Sequence, residues 1–370
     1  MNIVGVNISH DTSVASITND QIDFVFDEAR FRRHKYYTPE EGEGMQCVIQ
    51  RNVPKPDKLI FATFDRRNIS LTVPYEEYVL NRVQAEEFTK AVREKQLSLK
   101  RLLEIQRDFP SFKFDMIHLT KDRDMSEELA MEMFKMREYE LIPYEHHLWH
   151  AECAHALSPW KGDECICIVW DGGGAQPYYT EYPGYQEMET IYHCVPGETP
   201  KKVWQRLSNS RLVSDFSWTF PNQQHTCLMC WDDEVVEKDG AEIIFSCRPS
   251  SGQNFSVLSQ AFNTDKLGRA AGKIMGMASY GTTQPNYFTQ YSVTQQCEQE
   301  SFTNSVGIIN KAIELIPDTK KILLSGGYSL NCTNNYKYLQ AFPDYEFFVD
   351  PIPHDGGTAL GAALWLKRQG

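Results

Sequence analysis

A chain of 370 residues with 41% apolar side chains can fill a sizeable core, which excludes disorder as the default state. A formal net charge of -13 excludes adhesion to nucleic acid over the whole surface but leaves room for a local basic face. No run approaches the roughly 18 to 20 consecutive apolar residues that span a bilayer, and Met1 to Ser9 lacks a basic start followed by a long apolar stretch, so the expected location is the cytoplasm.

The first predicted element is a strand, Ile3 to Val6, followed by the polar tip Ser9-His10-Asp11-Thr12-Ser13 and a second strand, Val14 to Ile17. Asn19-Asp20 marks a turn into a third strand, Ile22 to Phe26, and Glu28 to Lys35 (EARFRRHK) follows directly. Helical and mixed segments then run to about Phe109, with strand-like Leu59 to Phe61 and Met116 to Leu119 among them, as an α/β lobe requires. Within this stretch Thr89 to Arg107 carries Lys90, Arg93, Lys95, Lys100, Arg101 and Arg107 against only Glu94 and Glu104. That pattern is either a basic helical face for nucleic acid or a solvated amphipathic helix with Leu99, Leu102, Leu103 and Ile105 inward.

Next comes the sharpest chemical signal, Tyr144-Glu145-His146-His147-Leu148-Trp149-His150-Ala151-Glu152-Cys153-Ala154-His155. On a helix His146 and His150 lie one turn apart on one face, so two imidazole nitrogens can converge on one ion, while His147 points about 100° away into packing. Two histidines need an anionic partner to balance charge and leave positions open. Asp355, in Pro353-His354-Asp355-Gly356-Gly357 between a strand and the predicted helix Thr358 to Trp365, is the candidate third ligand; capping that helix is its alternative role.

Cys165 to Trp170 (CICIVW) repeats the opening pattern and runs into Asp171-Gly172-Gly173-Gly174, which points to a duplicated architecture with lobes 1-160 and 161-370. A variable middle, about Tyr185 to Gln260, is followed by predicted helices Arg269 to Ser279 and Thr303 to Leu315. Strands Lys321 to Leu324 and Tyr345 to Val349 then feed Gly326-Gly327 and Pro353 to Gly357. Each glycine-rich turn offers backbone N–H groups to phosphate oxygens. The absence of a GxxxxGK[ST] pattern, and of GxGxxG after the first strand, disfavours P-loop and dinucleotide folds. The ten cysteines are irregularly spaced, as reduced core thiols are, and Cys227-Leu228-Met229-Cys230 after His225 is a weak zinc signal for want of a second pair.

In this order the junctions resemble the duplicated actin/hexokinase/Hsp70-like (ribonuclease H-like) α/β fold, two lobes with a central cleft. The resemblance sharpens to the NodU-type O-carbamoyltransferases through Gly5 to Ala15 (GVNISHDTSVA), EARFRRHK, His146 to Trp160, Gly272 to Gly281 (GKIMGMASYG), Ser325 to Asn331 (SGGYSLN) and Pro353 to Ala363. The enzymes that make threonylcarbamoyl-adenosine in tRNA share the fold and the HxxxH element but match fewer of these pieces. The resemblance implies a divalent metal, Fe2+, on His146, His150 and Asp355. It also implies that Asp171, Gly172, Gly173, Gly326, Gly327 and Asn331, with Lys273 nearby, line the ATP or carbamoyl-donor site. His10, Asp11, Arg33 and Lys35 would face the reacting carbamoyl group.

The implied reaction moves a carbamoyl group from carbamoyl phosphate or carbamoyl-adenylate to an acceptor hydroxyl. The acceptor is either the 5-hydroxymethyl group of a modified pyrimidine in DNA or a nucleotide, or a sugar hydroxyl in an antibiotic or oligosaccharide; a non-catalytic nucleotide-binding subunit of a larger assembly is the reading from another class. Family members typically continue into a second domain that makes carbamoyl-adenylate, and here the sequence ends at Gly370. The expectation is therefore a separate adenylate-forming partner or direct use of carbamoyl phosphate. Ala271 stands where many members have an acid and Ser279 where they have proline, which bears on the donor pocket.

Overall fold

Alternation of apolar residues and a tight polar turn build the first sheet of the computed structural model. The structure describes residues 1–8, 11–33, 58–64, 71–73, 113–114, 145–174, 186–208, 234–246, 250–262, 270–281 and 289–369. His10, Lys35, the basic segment Thr89 to Arg107, the expected strand Met116 to Leu119 and the Cys227/Cys230 pair with His225 lie outside them.

The first unit comprises residues 1–152 and 355–370. Its strands are β1 (Asn2–Ile8), β2 (Ser13–Thr18), β3 (Gln21–Asp27), β4 (Lys58–Phe64), β5 (Leu71–Val73) and β6 (Lys113–Phe114), in the order β3-β2-β1-β4-β5-β6. β1, β2 and β3 form an antiparallel meander, with Gly5 opposite Ala15, and β4 joins β1 in parallel. Asn19 and Asp20 have φ of 49° and 73°, so the two-residue loop between Thr18 and Gln21 twists in the sense that hairpin strands require. Helix α1 (Glu28–Arg32) starts where the Asp27 carboxylate accepts from the Ala29 N–H at 2.8 Å and ends at Arg33, in the left-handed region.

The second unit comprises residues 153–354. Helix α2 (His146–Leu157) crosses the boundary into it, and β7 (Cys165–Trp170) follows. Every residue of β7 is buried, which an uninterrupted apolar run allows only to a central strand covered on both faces. β8 (Gln186–Cys194) and β9 (Lys201–Ser208) continue antiparallel, and β10 (Glu234–Lys238) and β11 (Ala241–Ser246) extend that edge. Helices α3 (Ser251–Ala261), α4 (Ala271–Ala278) and α5 (Gln290–Leu315) lead to β12 (Lys321–Ser325), a 3-10 turn (Gly327–Leu330), α6 (Cys332–Ala341) and β13 (Glu346–Val349). β12 and β13 add in parallel beside β7, giving the order β10-β11-β9-β8-β7-β12-β13. Ile166, Ile168, Trp170, Phe255, Ile308, Ile309, Tyr328 and Tyr338 belong to the core of this unit.

Both units therefore start with an antiparallel three-strand meander whose first strand then pairs in parallel with a later strand. This is the duplicated, ribonuclease H-like α/β architecture. The division differs from the expected cut after residue 160. The 3-10 turn Asp355–Gly357 and helix α7 (Thr358–Arg368) return to the first unit, where α7 packs on β1, β2 and β4. The reason is steric: Ala359, Leu360, Gly361, Ala362 and Ala363 are all buried, and a Cβ on Gly5 would collide with the Ala359 carbonyl.

The variable middle holds β8 to β11 and α3. Helix α5 begins at Gln290 rather than Thr303, because the turns up to Ser305 bury Thr294, Cys297, Glu298, Ser301 and Ser305, a helical stripe in which small and polar residues stand where apolar ones would be expected.

Candidate functional site

Three of the expected site residues meet in the first unit. The Nε2 atoms of His146 and His150, on the first turns of α2, are 3.2 Å apart. The Oδ1 atom of Asp355 lies 3.5 Å from the first and 3.8 Å from the second. Bonds of about 2.1 Å at right to tetrahedral angles place ligand atoms about 3.0–3.4 Å apart around one ion. The three donors thus fit a divalent cation after a contraction of a few tenths of an ångström, and two neutral imidazoles with one carboxylate leave coordination positions for a substrate. His147 is buried on the neighbouring face of α2, in ring contact with His146 at 5.9 Å between centroids, as its angular offset predicts.

Close packing fixes this geometry. A Cβ on Gly361 would collide with the carbonyl of Trp149, so α2 and α7 approach backbone to backbone right beside His150, about one turn from His146 and less than two turns from Asp355. The Trp149 and Trp365 rings meet edge to face at 5.4 Å. At the far end of the contact Arg368 donates from Nε (3.2 Å) and Nη2 (2.9 Å) to Glu152 Oε2. Burial pushes the Glu152 carboxyl up to about 7, against the opposing pull of Arg368. Asp355 itself is held through its main chain: its carbonyl accepts from Thr358 Oγ1 at 2.6 Å and from Asn7 Nδ2 at 3.0 Å. Ser13 Oγ donates to the Gly356 carbonyl at 2.7 Å.

Asn7 and Ser13 lie in the GVNISHDTSVA stretch that carries the family resemblance, yet neither has an assigned role there; their signal is their position, polar residues near the strand ends that flank the His10-Asp11 tip. Asp11 is half-buried and its carbonyl accepts from Asn7 Nδ2 at 2.9 Å. Arg33 is exposed at the end of α1.

In the second unit the glycine turns converge on Asp171. Its Oδ1 accepts from the backbone N–H of Gly172 at 2.7 Å and of Gly327 at 3.1 Å, so amides from two separate turns point at one oxygen position. Such paired amides suit an anionic oxygen. Gly326, at φ 85°, is packed so tightly on the Trp170 carbonyl that no side chain fits. A Cβ on Gly173 would meet the end of the Gln186 side chain, which unlike main chain can move aside. The N-terminus of α3 abuts the same turn, with Ser250 Oγ donating to the Gly172 carbonyl at 3.2 Å. Beneath it, Glu189 accepts from the Ser251 N–H at 3.2 Å and pairs with Arg206 at 2.6 Å. This buried pair lies in the stretch read as variable.

Lys273 is exposed on α4. The Asn331 amide fastens its turn to the neighbouring helices: Oδ1 accepts from the Asn334 N–H at 3.2 Å and Nδ2 donates to Glu298 Oε2 at 2.8 Å. Burial raises the Glu298 carboxyl above its ordinary range, with Asn331 and Lys337 opposing. In the window above the ordinary value the folded state keeps a proton that the unfolded state has lost, so this group makes stability fall as pH rises. Glu298→Gln should flatten that part of a urea-midpoint profile taken between roughly pH 4 and 8. An unchanged slope would remove Glu298 as its source.

Among known proteins, 54 residues of the chain are 43% identical to the nodulation protein NolNO of Sinorhizobium fredii, covering 15% of this chain and 8% of that one. The nodulation protein NolO of Bradyrhizobium diazoefficiens matches at 43% over 49 residues, 13% of this chain and 9% of the relative. The aligned stretches thus span under a tenth of these relatives' lengths. A solved ROK family protein from Streptococcus pneumoniae, in complex with sucrose, aligns over 100% of this chain and 99% of its own at 13% identity, with a TM-score of 0.42. The family model described as carbamoyltransferase N-terminus matches residues 2–315, and the chain belongs to that family.

Proposed function

We propose that the chain transfers a carbamoyl group from carbamoyl phosphate, or from carbamoyl-adenylate, to an acceptor hydroxyl, at a divalent metal held by His146, His150 and Asp355. The observation that supports this most is the convergence of two imidazole nitrogens and one carboxylate oxygen within 3.2–3.8 Å, in a member of a carbamoyltransferase family. Fe2+ is the proposed ion, as two histidines and one carboxylate with open positions suit it. When bound, it supplies Lewis acidity toward the carbamoyl carbonyl.

The chain's own residues do the rest. The glycine-rich turns around Asp171, with Gly172, Gly173, Gly326 and Gly327, would line the site of the donor phosphate, carbamoyl phosphate or an ATP-derived adenylate, while the Gly172 and Gly327 amides hold the Asp171 carboxylate that shapes it. Lys273 would offset negative charge on the departing phosphate, and Arg33 and Lys35 would face the carbamoyl group. As the acceptor oxygen attacks the carbamoyl carbon and the carbon–oxygen bond to phosphate breaks, His10 or Asp11 takes the hydroxyl proton.

For the acceptor we favour a 5-hydroxymethyl pyrimidine in DNA, because Thr89 to Arg107 concentrates basic residues in an otherwise acidic chain. A base in duplex DNA would have to leave the stack to be modified. Mass spectrometry of hydroxylated acceptors incubated with the protein and carbamoyl phosphate, with and without ATP, tests this. Hydroxymethylated DNA should gain a carbamoyl group, and charge reversal at Lys100 and Arg101 should raise KM for it severalfold. Transfer to sugar hydroxyls alone would replace the DNA reading with the sugar one.

A further inference from the structure

One buried side chain in the first unit joins two segments that the proposed chemistry needs to keep in register. Asn7 is fully buried on β1, at the point where the pairing of β1 with β4 shifts register. Its Nδ2 group donates at 2.9 Å to the carbonyl of Asp11, in the polar tip, and at 3.0 Å to the carbonyl of Asp355, 348 residues further along the chain. The extra residue of this local bulge, Ala62, lies on β4, and Asn7 on β1 beside it turns its amide to the Asp355 turn.

We infer that Asn7 is a positioning residue for the metal centre, setting the main chain of Asp355 relative to the Asp11 tip so that the carboxylate is held against His146 and His150. This rests on the metal reading of those three residues. Ser13 is the secondary brace: its bond to the Gly356 carbonyl ties the start of β2 to the same turn. With Asn7 removed, the Asp355 carbonyl keeps Thr358, a neighbour in its own turn, and loses its tie to β1. The ligand then gains freedom that binding must remove, and support of this kind is typically worth about 10- to 100-fold in metal affinity.

The test is titration of metal-free protein with Co2+, followed by visible absorption and calorimetry, for wild type, His146→Ala, Asn7→Leu and Ser16→Ala. Leucine matches asparagine in size and donates nothing. Ser16 bonds Asn2 and Asp23 on the same meander, away from the Asp355 turn, and so reports on loss of hairpin stability alone. The expected result is uptake by wild type, none by His146→Ala, unchanged affinity in Ser16→Ala, and a 10- to 100-fold loss in Asn7→Leu. Wild-type affinity in Asn7→Leu overturns the positioning role, as does an equal loss in Ser16→Ala. A wild-type protein that takes up no Co2+ overturns the metal reading beneath it. Should Asn7→Leu not fold, Asn7→Ser, which has a single hydroxyl proton to donate, carries the same comparison with the same two outcomes.

Discussion

Replacing Asp355 with alanine is expected to abolish metal uptake and carbamoyl transfer while leaving the metal-free fold within a few degrees of wild type. The carboxylate is the only anionic donor that the first unit places on the His146/His150 pair among its described residues. Without it the imidazole pair loses the anionic donor of its own unit, and affinity should fall at least about 100-fold. The fold should survive because the structural duties at this position belong to the Asp355 main chain, whose carbonyl accepts from Thr358 and Asn7 whatever the side chain. Loss of the side-chain contact to the imidazoles should itself cost about 1 kcal/mol. Metal analysis of purified Asp355→Ala beside wild type checks the first part and a thermal melt of both metal-free proteins the second. Wild-type metal content in the variant would mean that these residues do not form the centre.

Gly361→Val should strongly destabilise the first unit. Its side chain would enter space held by the Trp149 carbonyl, which is backbone and cannot swing aside as a flexible side chain does. Helix α2 must then lift from α7, and with it His146 and His150 move away from Asp355. Overpacking costs typically 1–3 kcal/mol, and a clash with main chain belongs at the upper end, about 3 kcal/mol or more. The melting temperature should drop by about 5–10 °C, with metal affinity lost in parallel. An unshifted melt would show that the two helices have slack at this contact.

What could be read from the chain follows the distinction between local and distant causes. The first meander was legible because apolar alternation and Asn19-Asp20 act within a few residues, and β7 because six apolar residues run together. The HxxxH pair was legible because helix geometry alone sets its spacing. The polar strands were not: β8 buries Glu187, Glu189 and Thr190 against Gln205 and Arg206, partners that lie on β9, so the stretch shows no apolar strand pattern and reads only as a variable middle. Asp239-Gly240, both at positive φ, did signal the β10–β11 hairpin and was passed over inside that stretch. The return of α7 to the first unit was likewise invisible, since the glycines that permit it, Gly5 and Gly361, are over 350 residues apart. Asn7 escaped for the same reason, its second acceptor being at the other end of the chain.

The central claim is that His146, His150 and Asp355 hold the ion on which carbamoyl transfer depends. The most direct measurement supplies carbamoyl-adenylate and a hydroxylated acceptor to metal-loaded protein, metal-stripped protein and His146→Ala, and follows the carbamoylated acceptor by mass spectrometry. Product from the metal-loaded protein alone, restored to the stripped protein by Fe2+, is the predicted result. Equal product from all three would contradict it.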